Sequence, residues 1–329
     1  MTTKQIEGLH HVTALARDPQ ANVDFYTGVL GLRLVKKTVN FDDPGTYHLY
    51  YGDEQGRPGT IITFFPWPMA RRGTHGAGQT TATAFSVPEG SLGWWSERLE
   101  KLGISAEAPK SREGFDEEVI TLLDPDGLKL ELVARAGSRA EDDRAPWIDG
   151  PVPAEHAIRG FEGVTLTQWN PEVTAGVLRD VMGFQAAGEG RDRFRFEVGA
   201  GGSGTRVDIL VRPNAPRGHV SAGTVHHVAF RVADDPAQAE WHETLGERGF
   251  SVSPILDRQY FHSIYFREPG GALFELATDP PGFTKDETVE GLGSSLRLPA
   301  WLEPDRSRIE SILPPIEVRE AVTQTGGAQ

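Results

Sequence analysis

Two histidine doublets are the residues best suited to chemistry in this sequence. His10–His11 sits in LHHVTAL and His226–His227 in VHHVAFR. His11 precedes Asp18, and His227 precedes Asp234, by the same seven residues, so both hold one position of a repeated segment. Carboxylates mark a second repeated position. Glu275 lies six residues after Pro269, and Glu131 six after Pro125, each in an apolar, strand-like run. A carboxylate there is costly to bury unless it is paired or bound to a metal. Two imidazoles and one carboxylate on rigid strands form a facial triad with open coordination positions, which suits Fe(II). Donor type alone also admits Mn, Ni or Zn. Side chains alternate faces along a strand, so His10 and His11 are not expected to point at one ion together. The expected ligands are His11, His227 and Glu275. Glu131 reads as a salt-bridged strand residue, because neither its own unit nor the third has a histidine at the matching first-strand position. His48 and His262 read as structural.

The elements that must position these groups recur four times. The first unit reads as strand HVTALA, a helix from Pro19 stopped by Gly31, then strands RLVKKTVNF, TYHLYYG and TIITFFPW. Proline fits a first helical turn, which does not need its missing N–H. Val23, Tyr26, Val29 and Leu30 keep helical spacing. Residues 79–133, 160–212 and 223–278 repeat the order, the last with a strand in VSPILD. The expected fold class is α+β, built from four βαβββ modules. Two modules fall in 1–136, a Pro-, Gly- and charge-rich linker in 137–159 and two modules in 160–279. A C-terminal extension over 280–329 carries a short helix in PDRSRIESIL, with Asp305 or Ser307 as candidate caps. The Pro- and Gly-rich stretch 279–300 is expected to wrap the surface. The run Glu141–Asp142–Asp143 reads as solvated linker, and the closing TQTGGAQ as disordered.

Composition narrows the partners. The chain has 329 residues, with 33 basic against 47 acidic side chains and a net charge of −14. That balance argues against nucleic acid and against anionic membrane surfaces, although a cleft can be locally positive. Cysteine is absent, which excludes disulfides, thiolate zinc sites and cysteine nucleophiles. No run is long enough to span a membrane, and the first residues lack the apolar core of a signal peptide. The expectation is a soluble, cytoplasmic protein.

Four βαβββ units with His on the first strand and Glu on the last resemble the vicinal oxygen chelate superfamily. The HHVT and HHVA doublets, DPGTYHLYYGD at 43–53, FFPWP at 64–68 and LPP at 313–315 resemble its hydroquinone ring-cleaving dioxygenases. The resemblance spans nearly the whole chain. It implies two curved-sheet domains, with units one and four paired around the metal and units two and three as a metal-free pair. It implies an Fe(II) enzyme, with Mn(II) as the other candidate ion, that inserts O2 into an aromatic diol, hydroquinone before catechol. It also implies supporting roles for His10, Thr13, His226, Arg258 and Tyr265. Two other readings stand beside it. A glyoxalase-like isomerase would need a fourth ligand such as Glu131, and a non-catalytic protein that sequesters an aromatic compound would need no metal. The expected partners are a small diol and O2, and open strand edges leave room for a homo-oligomer.

Overall fold

The computed structural model describes residues 4–136 and 144–318. The run Glu141–Asp143 and the tail TQTGGAQ lie outside the described residues. Each of four units is a strand, a helix and three more strands. Unit one holds β1 (Leu9–Ala16), α1 (Pro19–Val23), β2 (Arg33–Asn40), β3 (Asp43–Gly52) and β4 (Ile61–Pro66). Unit two holds β5 (Gln79–Ser86), α2 (Leu92–Lys101), β6 (Lys110–Ser111), β7 (Glu117–Leu123) and β8 (Lys129–Arg135). Unit three holds β9 (Gly160–Gln168), α3 (Glu172–Gly176), β10 (Gln185–Glu189), β11 (Arg193–Glu197) and β12 (Arg206–Val211). Unit four holds β13 (Val225–Val232), α4 (Asp235–Glu247), β14 (Leu256–Asp257), β15 (His262–Arg267) and β16 (Leu273–Thr278). A last helix, α5 (Arg306–Ile312), follows.

The strands form two curled eight-stranded sheets, one joining the first unit to the last and the other the two middle units. One runs β14-β15-β16-β13-β1-β4-β3-β2, combining units four and one. The other runs β10-β11-β12-β9-β5-β8-β7-β6, combining units three and two. The seams are the antiparallel pairs β1–β13 and β5–β9. Both β1 and β9 are buried along their whole length, as strands covered on two faces must be. Val12, Ala14 and Ala16 of β1 face a hydrophobic core shared by all four units. His11 and Thr13 face the other way, where Tyr50, Ile61, Ala229 and Phe261 form a second apolar cluster.

Local chemistry accounts for most boundaries. The Asp18 carboxylate accepts from the N–H groups of Gln20 and Ala21, capping α1. That helix widens into a turn of i→i+5 bonds over Asp24–Val29, and α3 does the same over Val177–Val181. Gly31 ends the first at φ +70°, where any Cβ would meet Val152 at 2.6 Å.

Three expectations need correction. VSPILD yields only Leu256–Asp257 as strand, because Pro254 has no N–H to give the ladder. Asp305 holds the cap position of α5 but its side chain makes no capping bond, and Ser307 lies inside the helix. The stretch 279–300 does more than wrap the surface. It buries Phe283, Leu292 and Leu298, and it sets Asp286 and Glu287 on the fully buried Lys36 ammonium of β2.

Candidate metal centre

The three expected ligands meet at the seam of the first sheet. His11 comes from β1, His227 from β13 and Glu275 from β16, three adjacent strands. Register aligns them, since Thr13 faces His227 and Ala229 faces both His11 and Glu275. His11 Nε2 and His227 Nε2 lie 3.3 Å apart. Glu275 Oε2 is 3.3 Å from the first and 2.9 Å from the second. All three side chains are buried. Glu275 Oε2 makes no hydrogen bond, while Oε1 accepts from Ser263 Oγ at 2.5 Å. A buried carboxylate oxygen facing two imidazole nitrogens is a set of lone pairs that a cation completes. Burial alone would raise the Glu275 pKa, but the imidazoles of His11 and His227 hold it well below the carboxylate range. Burial lowers the pKa of His227 despite the Glu275 charge, which favours the neutral form that binds metals.

Each doublet works as a pair. His10 Nδ1 lies 2.9 Å from His11 Nδ1, and His226 Nδ1 lies 2.7 Å from His227 Nδ1. One nitrogen in each pair must carry the proton. If Nε2 of His11 and of His227 is an unprotonated donor atom at the centre, their Nδ1–H groups donate backwards. This fixes the ligand tautomers. Regular alternation would send the two members of a doublet to opposite faces. The β1–β13 pairing instead shifts register between Leu9 and His11 and again between Thr13 and Ala14. These bulges turn His10 and His226 alongside their neighbours. His226, held mostly out of water and beside His227, has its pKa pushed down to about 3.

A cavity of about 280 Å³ opens onto the ligands. It is lined by His11, His226, His227, Arg258 and Tyr265, and walled by Phe65, Trp67 and Phe261. The Tyr265 ring stands edge-on to His227 with centroids 5.5 Å apart. Burial raises the Tyr265 pKa, so its hydroxyl keeps its proton. Two expected supporting residues stand apart from the cavity lining. Thr13 is fully buried, with Oγ1 3.4 Å from Thr63 Oγ1, and His10 packs against Phe261. Sequence reasoning read His48 as structural and passed over Asp42; both line the cavity. His48 bonds Thr63 Oγ1 through Nε2 at 2.5 Å and Tyr50 OH through Nδ1 at 2.8 Å. Its alternation with Tyr50 in TYHLYYG was the available signal, but the face it shares with His11 depends on strand pairing. His262 sits away from this centre, with Nδ1 2.6 Å from Asp235.

Glu131 belongs to the other sheet. Arg112 Nη2 donates to it at 2.6 Å, inside a network that joins Arg193 and Arg195 to Asp208 and Glu117. The fourth-ligand route to an isomerase through Glu131 is therefore closed. A polar cavity of about 670 Å³ on that sheet is lined partly by the same groups, including Arg195 and Glu117, and none of the three expected ligands borders it.

Comparison with known proteins adds independent findings. The family described as Glyoxalase/Bleomycin resistance protein/Dioxygenase superfamily matches residues 8–132 and 170–276. The chain is 49% identical over 318 residues to "Putative ring-cleaving dioxygenase MhqO" of Bacillus subtilis (strain 168), covering 96% of this chain and 99% of that one. It is 37% identical over 308 residues to chlorohydroquinone/hydroquinone 1,2-dioxygenase of Sphingobium indicum, covering 91% and 94%. A crystal structure of a "putative dioxygenase" from Bacillus subtilis subsp. subtilis str. 168 superposes with a TM-score of 0.90 at 48% identity, covering 97% of this chain and all of that one.

Proposed function

The chain belongs to the glyoxalase/bleomycin resistance protein/dioxygenase superfamily, and on that premise we propose that it is a metal-dependent dioxygenase that opens the ring of a small aromatic diol with O2. Hydroquinones are the preferred class, as the name of the Sphingobium relative suggests for that protein. The observation that carries the reading is the convergence of His11, His227 and Glu275 on one point, with both histidines lining an aromatic-walled cavity. Fe(II), with Mn(II) as the alternative, would be held by these three residues, acidify a bound hydroxyl and pass electrons between ring and O2.

The chain's own residues prepare the reactants. Ser263 donates to Glu275 Oε1 and leaves Oε2 to face the histidines. His10 and His226 receive the Nδ1–H groups of the ligands and fix the orientation of both rings. With its Nδ1 so occupied, neutral His226 carries its own proton on Nε2 and offers the cavity a donor. Protonated Tyr265 offers a second. Phe65, Trp67 and Phe261 exclude water and favour a flat ring. Holding diol and O2 on adjacent positions removes much of the entropic barrier to their meeting.

The test is O2 consumption by anaerobically Fe(II)-loaded protein offered hydroquinone and, in parallel, catechol. Uptake matched to hydroquinone loss, and abolished with bound iron in His227→Ala, is the expected result. Uptake with catechol alone would move the substrate class. No uptake with either, despite stoichiometric iron, would sink the reading.

A further inference from the structure

Among the described residues lining the metal cavity, two carry formal charge: Arg258 and Asp42. They come from the first and the last unit. Asp42 sits in the turn between β2 and β3, and Arg258 in the turn between β14 and β15. Arg258 Nη1 lies 3.1 Å from Asp42 Oδ2, closing an ion pair across the cavity. The Arg258 side chain is 21% exposed and that of Asp42 74%, so a carboxylate at the rim reaches a cation held deeper. The guanidinium also lies 5.7 Å from the Tyr265 ring centre, beside the reactants' expected position.

The charges can be summed. A divalent ion and the Glu275 carboxylate leave one net positive charge at the centre. A singly deprotonated diol cancels it. A ring carboxylate would bring a further negative charge into a poorly solvated cavity, where an unpaired charge is costly. Arg258 is the cation that could receive it, and Asp42 already holds Arg258. We propose that Asp42 is a specificity-determining residue that restricts the site to diols whose other ring substituents are uncharged. It does so by competing for Arg258 and by repelling a second anion at the mouth, a discrimination built from repulsion as much as from attraction. This inference rests on the aromatic-diol reading.

The experiment compares hydroquinone with 2,5-dihydroxybenzoate on wild type, Asp42→Asn and Asp42→Glu. Calorimetric titration of Zn(II)-loaded protein reads affinity without turnover. O2 consumption by Fe(II)-loaded protein reads kcat/KM. Wild type should favour hydroquinone. Asp42→Asn should raise the affinity for 2,5-dihydroxybenzoate relative to hydroquinone by about tenfold, the scale of one charge-assisted hydrogen bond. Asp42→Glu should restore the wild-type ratio, and salt should shrink the gain because the pair lies at a solvated rim. Equal affinity of wild type for both compounds, or an unchanged ratio in Asp42→Asn, would overturn the inference alone. If neither compound binds wild type, the diol reading falls and this inference with it.

Discussion

Glu275 depends on one small neighbour. Ser263 Oγ is the hydrogen-bond donor to its Oε1, and the carboxylate is completely buried. Ser263→Ala should leave the fold intact but weaken metal affinity roughly 10–100-fold, the usual effect of removing a group that orients a ligand. Competition with a chelator measures it. The imidazoles make a second prediction. Burial lowers the pKa of His48, His226 and His227, that of His226 to about 3. Between these values and the ordinary imidazole value of about 6.5 the unfolded chain binds more protons than the folded one. Stability of the metal-free protein should therefore fall as pH drops below about 6.5. Asp124 opposes this, because burial lifts its pKa to about 6 and the folded state keeps its proton longer. Urea midpoints at pH 7 and pH 5 decide the balance; a higher midpoint at pH 5 would refute the prediction. Residue types were legible here. The doublet and glutamate positions follow from the repeat, whereas the Asp42–Arg258 contact spans 216 residues and no local pattern encodes it.

At the scale of elements, the strands and helices followed from periodicity and from end signals such as Pro19 and Gly31. Gly31→Ala would force a side chain into the left-handed region and against Val152. It should cost about 1–3 kcal/mol, read from urea unfolding, with metal content per folded chain unchanged. The bulges at the doublets were not legible. Nothing in LHHVTAL or VHHVAFR marks an irregular ladder, because a bulge is a property of two strands and both partners of this one carry a doublet. Alternation said only that His10 and His11 do not share one ion; the close approach of the two rings in each doublet comes from the pairing. The widened turns after α1 and α3 were equally silent, yet they recur in units one and three and so belong to the repeat.

The whole molecule divides its labour between two sheets. In one the seam carries imidazoles and a carboxylate. In the other, Arg112, Arg193, Arg195 and Arg206 form ion pairs with Glu117, Glu131, Glu162 and Asp208. Glu131→Ala should destabilise the chain by roughly 3 kcal/mol, because it leaves Arg112 under-compensated in a buried network. Metal stoichiometry should stay at the wild-type value. A loss of metal with retained stability would return Glu131 to the site. The amino-acid sequence by itself determined the four modules, their strand and helix pattern and the three residue types able to hold a metal. These rest on local propensity and on repetition along the chain. Tertiary structure shows the pairing of modules that the resemblance implied, and it alone decided how the doublets turn and which groups line the cavity. Those features arise from pairing between strands some two hundred residues apart, such as His11 with His227. The register there is set by burying apolar faces together, a demand of the whole core that no single segment carries.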